Sequence, residues 1–265
     1  LELLRNEPAR VPAAVEEILV TPDVDAALSA KAAAELEADA PDEPEELAAA
    51  LADEDPDVRA IVLTGADPAF CAGVDLKEAQ QLGTAYFARF QTHNCITKPA
   101  EMATPILAAI NGATFTGGLE MALACDFMIA SERAVFADTH ARVGILPGGG
   151  MTVRLPQRVG TPMARRLSMT GEVVDAARAE RIGLVTEVVV HDELLSRAIQ
   201  LAEQIAEVPA GTMAGLKQMY VRGTAGVTDT ALAVELEIAR AHRPDTDALA
   251  ARKAEVTARN KSQLQ

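Results

Sequence analysis

Residues 70–77 read FCAGVDLK, and residues 111–120 read NGATFTGGLE. Each stretch follows an apolar, strand-like run and supplies glycines where a backbone can approach a ligand closely. Two such strand exits can direct two peptide N–H groups at one carbonyl oxygen, which is the arrangement of an oxyanion hole. The second stretch also carries an acid, Glu120, three residues after Gly117. Together the stretches predict enolate chemistry on a thioester.

The composition favours a globular protein. Of 265 residues, 49% are apolar and only 3% aromatic, so the core must consist mainly of Ala, Val, Leu and Ile. The net charge of -15 argues against nucleic-acid binding, because phosphates would be repelled. We find no apolar run of the roughly 18 residues that a membrane helix needs, and no signal-peptide pattern. We therefore expect a cytoplasmic protein without a membrane span.

The cysteines indicate neither a metal site nor a disulfide framework. The chain has three cysteines, an odd number, and their spacing matches no metal site: Cys71, Cys95 and Cys125. We expect them to be buried free thiols, as in a reducing compartment, and we predict no metal.

Strand-like runs alternate with helical patterns, which is typical of an α/β fold with parallel pairing. The predicted strands are residues 15–20, 58–64, 105–110, 126–130, 134–137 and 183–190. The predicted helices are residues 76–91, 118–124, 148–159, 161–169, 175–181, 192–206, 210–222, 229–241 and 246–259. Asp192 is expected to cap the helix at residues 192–206.

The order of glycines and acids resembles the crotonase superfamily of enoyl-CoA hydratases and isomerases. The resemblance rests on RAIVLTG at residues 59–65, the two stretches quoted above, and GILPGGG at residues 144–150. It implies a spiral of β-β-α units over residues 1–195, of which 1–57 are divergent. A helical oligomerisation region over residues 196–265 would follow. Family members usually form trimers or dimers of trimers and act in fatty acid metabolism, so we expect a homo-oligomer.

The resemblance also assigns roles to particular residues. The N–H groups of Val74 and Gly117 would form the oxyanion hole, and Glu120 would be the first of two catalytic glutamates. The substrate would be an acyl-CoA thioester, without any further cofactor. The residues expected beside coenzyme A are Ala72, Asp75, Leu76, Lys77, Gly118 and Lys217.

His140 stands where family hydratases place their second glutamate. A histidine can transfer protons near neutral pH, so His140 can be catalytic. It can equally reshape the pocket or be structural. Asp138 can orient His140 or supply the missing carboxylate; the alternation of a strand would put both on one face.

Three functions remain open from the sequence. Hydration of a 2-enoyl-CoA leads, double-bond isomerisation by the single carboxylate of Glu120 is the first alternative, and a non-catalytic acyl-CoA-binding homologue is the second. Residues 147–150 are expected to form a turn that opens a helix, and His93, His191 and His242 are expected at the surface. The absence of a G-x-S-x-G elbow argues against a serine hydrolase.

Overall fold

The computed structural model describes residues 15–20, 53, 57–73, 95–242, 245 and 248–263, with the backbone alone at 15–20 and 250. Several predictions lie outside these residues. They are the helix at residues 76–91, His93, and the site residues Val74, Asp75, Leu76 and Lys77.

A parallel sheet of five strands forms the centre of the described fold. Its order is β1 (Val15–Val20), β2 (Ala60–Gly65), β4 (Ile106–Ile110), β6 (Phe127–Ser131) and β9 (Val188–Val189). Strands β2 and β4 are buried along their whole length, which explains their uninterrupted apolar sequences. Alternate residues serve two clusters: Ile61 and Leu63 pack into one, Ala60 and Val62 into the other.

A second, smaller sheet runs beside the first. It contains β3 (Ala69–Cys71), β5 (Ala113–Phe115), β7 (Val135–Ala137) and β8 (Val174–Asp175). The first three strands are parallel, and β8 is antiparallel to β7. The chain passes repeatedly from the first sheet to the second, as from β4 to β5 and from β6 to β7, and then enters a helix. The predicted α/β spiral of β-β-α units is confirmed.

The helices are α1 (Gly117–Ala124), α2 (His140–Val143), α3 (Met151–Val159), α4 (Thr161–Thr170), α5 (Ala176–Arg181), α6 (Leu194–Ala206), α7 (Ala210–Ala241) and α8 (Leu249–Gln263). Short 3-10 helices cover Lys98–Ala100 and His191–Glu193. Helix α6 packs on the first sheet through Leu194, Ala198 and Ala202. Helix α8 packs on α2 in a separate small cluster, in which Leu249 and Val256 lie against Val143. Within the described residues, no helix is both long and apolar enough to cross a bilayer.

The predicted C-terminal helical region is present, but its helix boundaries differ. The helices expected at residues 210–222 and 229–241 are one continuous helix, α7. The intervening Gly223 and Gly226 weaken a helix by only about 1 kcal/mol each, and no proline interrupts it. The domain division after residue 195 stays a prediction; α6 begins at Leu194 and therefore spans it.

Three other predicted boundaries were wrong. The strand expected at residues 183–190 is reduced to Val188–Val189, because Gly183 has a φ of +77° and the next two amides bond to the Ala179 carbonyl. Asp192 lies inside a 3-10 helix and does not cap α6. Helix α3 begins at Met151 and not at residue 148, because Gly150 has a φ of +101°.

A buried lysine attaches α7 to the first sheet. The Lys217 ammonium donates to the carbonyl of Thr104 and to the carboxylate of Asp126, both at 2.9 Å. Thr104 lies just before β4 and Asp126 just before β6, so one side chain links the starts of two neighbouring strands. This contact places the first half of α7 against the core.

We expect Lys217→Met to lower the free energy of unfolding by about 1–3 kcal/mol, since it removes the ion pair with Asp126 and takes this donor from the Thr104 carbonyl. Chemical denaturation measures this. The control is Lys253→Met, at an exposed position on α8, with an expected change within about 0.5 kcal/mol. Equal stability of Lys217→Met and the wild type would contradict the anchoring role.

Candidate active site

The two glycine-bearing stretches meet at the start of α1. Gly73 has a φ of +91°, and a Cβ there would lie 2.2 Å from Thr116 Oγ1 and 3.3 Å from the Gly117 nitrogen. Only a glycine therefore allows this approach. Thr116 itself has a φ of +49°, a strained conformation of the kind found at functional sites. The amide of Gly117 thus sits where the two stretches converge.

The second donor of the predicted oxyanion hole, Val74, lies outside the described residues, so the two-donor hole stays a prediction. Ala72 is exposed, and its carbonyl accepts a hydrogen bond from Thr116 Oγ1 at 3.5 Å. Gly118 is buried in the first turn of α1. The ammonium of Lys217 is bonded to Thr104 and Asp126. The coenzyme A contacts expected of Ala72, Gly118 and Lys217 stay predictions.

Glu120 is a buried carboxylate held by the start of another helix. It is 2% exposed, and its Oε1 accepts hydrogen bonds from the amides of Gly149 at 2.8 Å and Met151 at 3.2 Å. These amides belong to the first turn of α3 and the residues before it, where a helix leaves N–H groups without internal partners. A Cβ at Gly149 would lie 2.9 Å from Glu120 Oε2, so the glycine makes room for the carboxylate.

The electrostatic surroundings of Glu120 favour proton exchange. Burial raises the pKa of Glu120, and the nearby charge of Glu235 raises it further. His140 and the two amides act in the opposite direction. The net effect is a carboxylate with a pKa above the usual glutamate range, which makes it a more effective base.

His140 begins α2 and does not continue strand β7, so the side chains of Asp138 and His140 meet across a turn and not through strand alternation. The chain turns at Thr139, and Asp138 Oδ1 accepts from both the His140 amide at 3.2 Å and the His140 Nδ1 at 2.7 Å. Asp138 therefore orients the imidazole. Because Nδ1 donates to this carboxylate, Nε2 faces Glu120 Oε2, 3.6 Å away.

The imidazole is surrounded by negative charge. Burial alone would lower the pKa of His140, but the charges of Glu120, Asp138 and Glu235 outweigh burial, and the pKa is raised. Burial alone would raise the pKa of the Asp138 carboxyl, but hydrogen bonds from His140 and Ser168 outweigh burial and lower this pKa. The site thus places a buried carboxylate beside an imidazole, and the pKa of each is raised.

Sequence reasoning missed Glu235, which enters the site from α7. It is 7% exposed, and its carboxylate accepts from the amide of Gly150 at 2.6 Å and from the amide of Thr152 at 2.7 Å, as well as from the Thr152 hydroxyl. A signal was available in the sequence. Glu235 lies at helical spacing from Leu232 and Ala239, so it is an acid on an otherwise apolar face.

Two histidines expected at the surface are partly buried and bonded. His191 lies between Ser131 Oγ at 2.9 Å and Asp67 Oδ2 at 3.1 Å, and His242 contacts the Gly144 carbonyl at 3.0 Å. The Ser131–His191–Asp67 trio does not form a nucleophile, because Ser131 is fully buried and its oxygen also accepts from the Arg133 amide. All three cysteines are free thiols; Cys125 is buried and the other two are half-buried.

Known proteins share this fold and much of this sequence. The family model described as Enoyl-CoA hydratase/isomerase matches residues 24–251. A probable enoyl-CoA hydratase of Rhizobium meliloti is 45% identical over 175 residues, which is 64% of this chain and 67% of that protein. A mitochondrial enoyl-CoA hydratase of Pongo abelii is 42% identical over 157 residues, which is 58% of this chain but only 53% of that protein.

A crystal structure of an enoyl-CoA hydratase from Mycobacterium smegmatis superposes with a TM-score of 0.69 and 42% identity, covering 86% of this chain and 93% of that one. The match to the family model extends over most of the chain, and the fold agrees. The chain therefore belongs to the enoyl-CoA hydratase/isomerase family.

Proposed function

We propose that the protein adds water to the double bond of a 2-enoyl-CoA thioester. The observation that carries this proposal is the buried pair of Glu120 and His140, with 3.6 Å between Oε2 and Nε2. Hydration needs one group that accepts a proton from water and one that delivers a proton to the α-carbon. A carboxylate beside an imidazolium supplies both. The proposal is further supported by the relatives that are named enoyl-CoA hydratases.

The proposed step balances without any other reactant. Glu120 Oε2 takes a proton from water while the hydroxide oxygen bonds to the β-carbon. The double-bond electrons shift to the thioester, and His140 Nε2 protonates the α-carbon. Glu120 is then protonated and His140 neutral. The proton returns from Oε2 to Nε2 across the short gap between them, which restores the starting pair.

The enolate oxygen formed in this step needs stabilisation. We propose the amides of Val74 and Gly117 as its donors, supported by the convergence of Gly73 and Gly117. One such donor is typically worth about 2.7–4 kcal/mol. Coenzyme A would lie along Ala72, Asp75, Leu76, Lys77 and Gly118, with Lys217 nearby. The thioester itself activates the double bond, so the reaction requires no cofactor.

The assay that tests the function also separates it from the two alternatives. Purified protein is incubated with 2-enoyl-CoA and, separately, with 3-enoyl-CoA, and the products are resolved by chromatography. A 3-hydroxyacyl-CoA product supports hydration. Isomerised product without any hydroxyacyl-CoA would establish the isomerase instead. Tight binding of both thioesters without turnover would establish a non-catalytic binder.

We expect Glu120→Gln to reduce kcat for hydration by about 10²- to 10⁴-fold, because the amide cannot accept the proton from water. The glutamine oxygen can still accept from Gly149 and Met151, so the fold should persist. Steady-state kinetics on 2-butenoyl-CoA measures the loss. Glu132→Gln, at an exposed position after β6, is the matched control and should leave kcat unchanged. Wild-type turnover in Glu120→Gln would refute this role.

We expect a bell-shaped dependence of kcat on pH, rising as Glu120 ionises and falling as His140 loses its proton. Burial and Glu235 raise the pKa of Glu120, so the rising limb lies above the range of an ordinary glutamate. Neighbouring carboxylates raise the pKa of His140, so the falling limb lies above that of an ordinary histidine. In His140→Gln the falling limb should vanish. Its persistence there would show that His140 is not the acid.

We also propose a homotrimer or a dimer of trimers in the cytoplasm. Helix α7 leaves several large apolar side chains exposed, among them Met219, Tyr220, Val227 and Ile238. Several exposed apolar side chains on one helix are in keeping with a protein interface. Free thiols are in keeping with a reducing compartment. Sedimentation equilibrium at the mass of one chain would refute the oligomer.

A further inference from the structure

One buried acid beside the site takes no part in the steps proposed above. Glu235 projects from the second half of α7, which covers the loop before α3. A Cβ on Gly150 would lie 3.2 Å from Leu232, and one on Gly148 would lie 3.8 Å from Leu236 and 3.9 Å from Ala239. The apolar face of α7 thus packs on a run of three glycines, and Glu235 is the charged member of that face.

Four successive amides at the start of α3 are divided between two carboxylates. The amides of Gly149 and Met151 donate to Glu120 Oε1, and the amides of Gly150 and Thr152 donate to Glu235. The N–H groups of neighbouring residues therefore point alternately to the two acids. Because these amides share one short backbone segment, the position of one set determines the position of the other.

Glycines before a helix have wide conformational freedom, so this loop needs contacts that select a single arrangement. Glu235 provides them through three hydrogen bonds, and the positive end of α3 stabilises its charge. Arg154 of α3 also contributes, with Nη1 donating to the Gly149 carbonyl at 2.6 Å. The loop is therefore held at the Gly149 carbonyl by α3, and at its amides by Glu120 of α1 and Glu235 of α7.

We propose that Glu235 is a positioning residue for Glu120. By binding the amides of Gly150 and Thr152, it fixes the amides of Gly149 and Met151 on Glu120 Oε1 and leaves Oε2 directed at His140. Glu235 is not itself the missing second acid, because its Oε1 accepts from Gly150 and its Oε2 from Thr152. This inference rests on the proposed hydration reaction, in which Oε2 is the reactive oxygen.

The charge of Glu235 also acts on both members of the pair. The groups that face Glu120 and His140 are Asp138 after β7, Arg154 on α3 and Glu235 on α7. Asp138 and Arg154 remain when Glu235 is neutralised. Glu235 raises the pKa of Glu120 and that of His140, so its removal lowers both. Both limbs of the pH profile should then move in the same direction, towards lower pH.

The test is Glu235→Gln, with Glu237→Gln as the matched control on an exposed position of the same helix. A glutamine keeps one acceptor oxygen, but its NH2 group then faces the N–H of either Gly150 or Thr152, which it cannot accept. We expect kcat to fall about 10- to 100-fold, as for a misplaced catalytic group, with KM changed less than about threefold. Both limbs of the bell should move to lower pH. Glu237→Gln should match the wild type in all three respects.

The proposal would be overturned if the pH dependence of kcat in Glu235→Gln equals that of the wild type and the loss of activity follows the fraction of folded protein. Glu235 would then be only structural. Should Glu235→Gln not fold, Thr152→Val keeps the acid and removes only the hydroxyl donor. We then expect a smaller fall in kcat at unchanged KM. Unchanged kcat in Thr152→Val would count against the proposal in that case.

A second measurement separates this inference from the proposed function. Titration of the His140 ring by NMR, assigned with His140→Gln among the four histidines, does not depend on any reaction. The ring should titrate at lower pH in Glu235→Gln than in the wild type. Equal titration would refute the coupling even if the protein proves to be a hydratase. If the His140 ring titrates at lower pH in Glu235→Gln but the wild type hydrates no enoyl-CoA, the function is refuted and the coupling stands.

Discussion

The hydrogen bonds from the amides of Gly149 and Met151, just before and at the start of α3, to the buried carboxylate of Glu120 are the contact on which the rest of the site depends. A carboxylate with 2% exposure needs strong donors, and here the protein uses backbone groups that a helix start leaves unpaired. They hold one oxygen and leave the other towards His140. The loop of residues 148–150 and helix α7 contribute by placing the start of α3 where its amides reach this carboxylate.

His140 changes the charge of the site relative to a pair of glutamates. Two carboxylates act as acid and base only when one of them carries a proton. With a carboxylate and an imidazolium, the carboxylate would be the base and the imidazolium the acid. Asp138 fixes the ring through Nδ1 and leaves Nε2 facing Glu120. Packing of α8 on α2 holds the backbone from which this ring projects. The histidine is thus supported at both its side chain and its helix.

Local patterns predicted much of this arrangement. The uninterrupted apolar runs at β2 and β4 indicated buried parallel strands, and the glycines near Gly73 and Gly117 indicated a close approach that the structure contains. The role of residues 147–150 was not predictable in the same way. The amide of Gly150 meets Glu235 from 85 residues away in sequence, and no local spacing encodes that contact. Helix α7 also runs through glycines that a propensity argument treats as a break.

The central claim is that Glu120 and His140 act on the same carbon–carbon bond of an acyl-CoA. A crystal structure of the protein with bound 3-hydroxyacyl-CoA tests it most directly. The account predicts the β-hydroxyl oxygen within about 2.6–3.2 Å of Glu120 Oε2, with His140 Nε2 facing the α-carbon. An acyl chain bound away from this pair, or a His140 ring turned from the α-carbon, would contradict it.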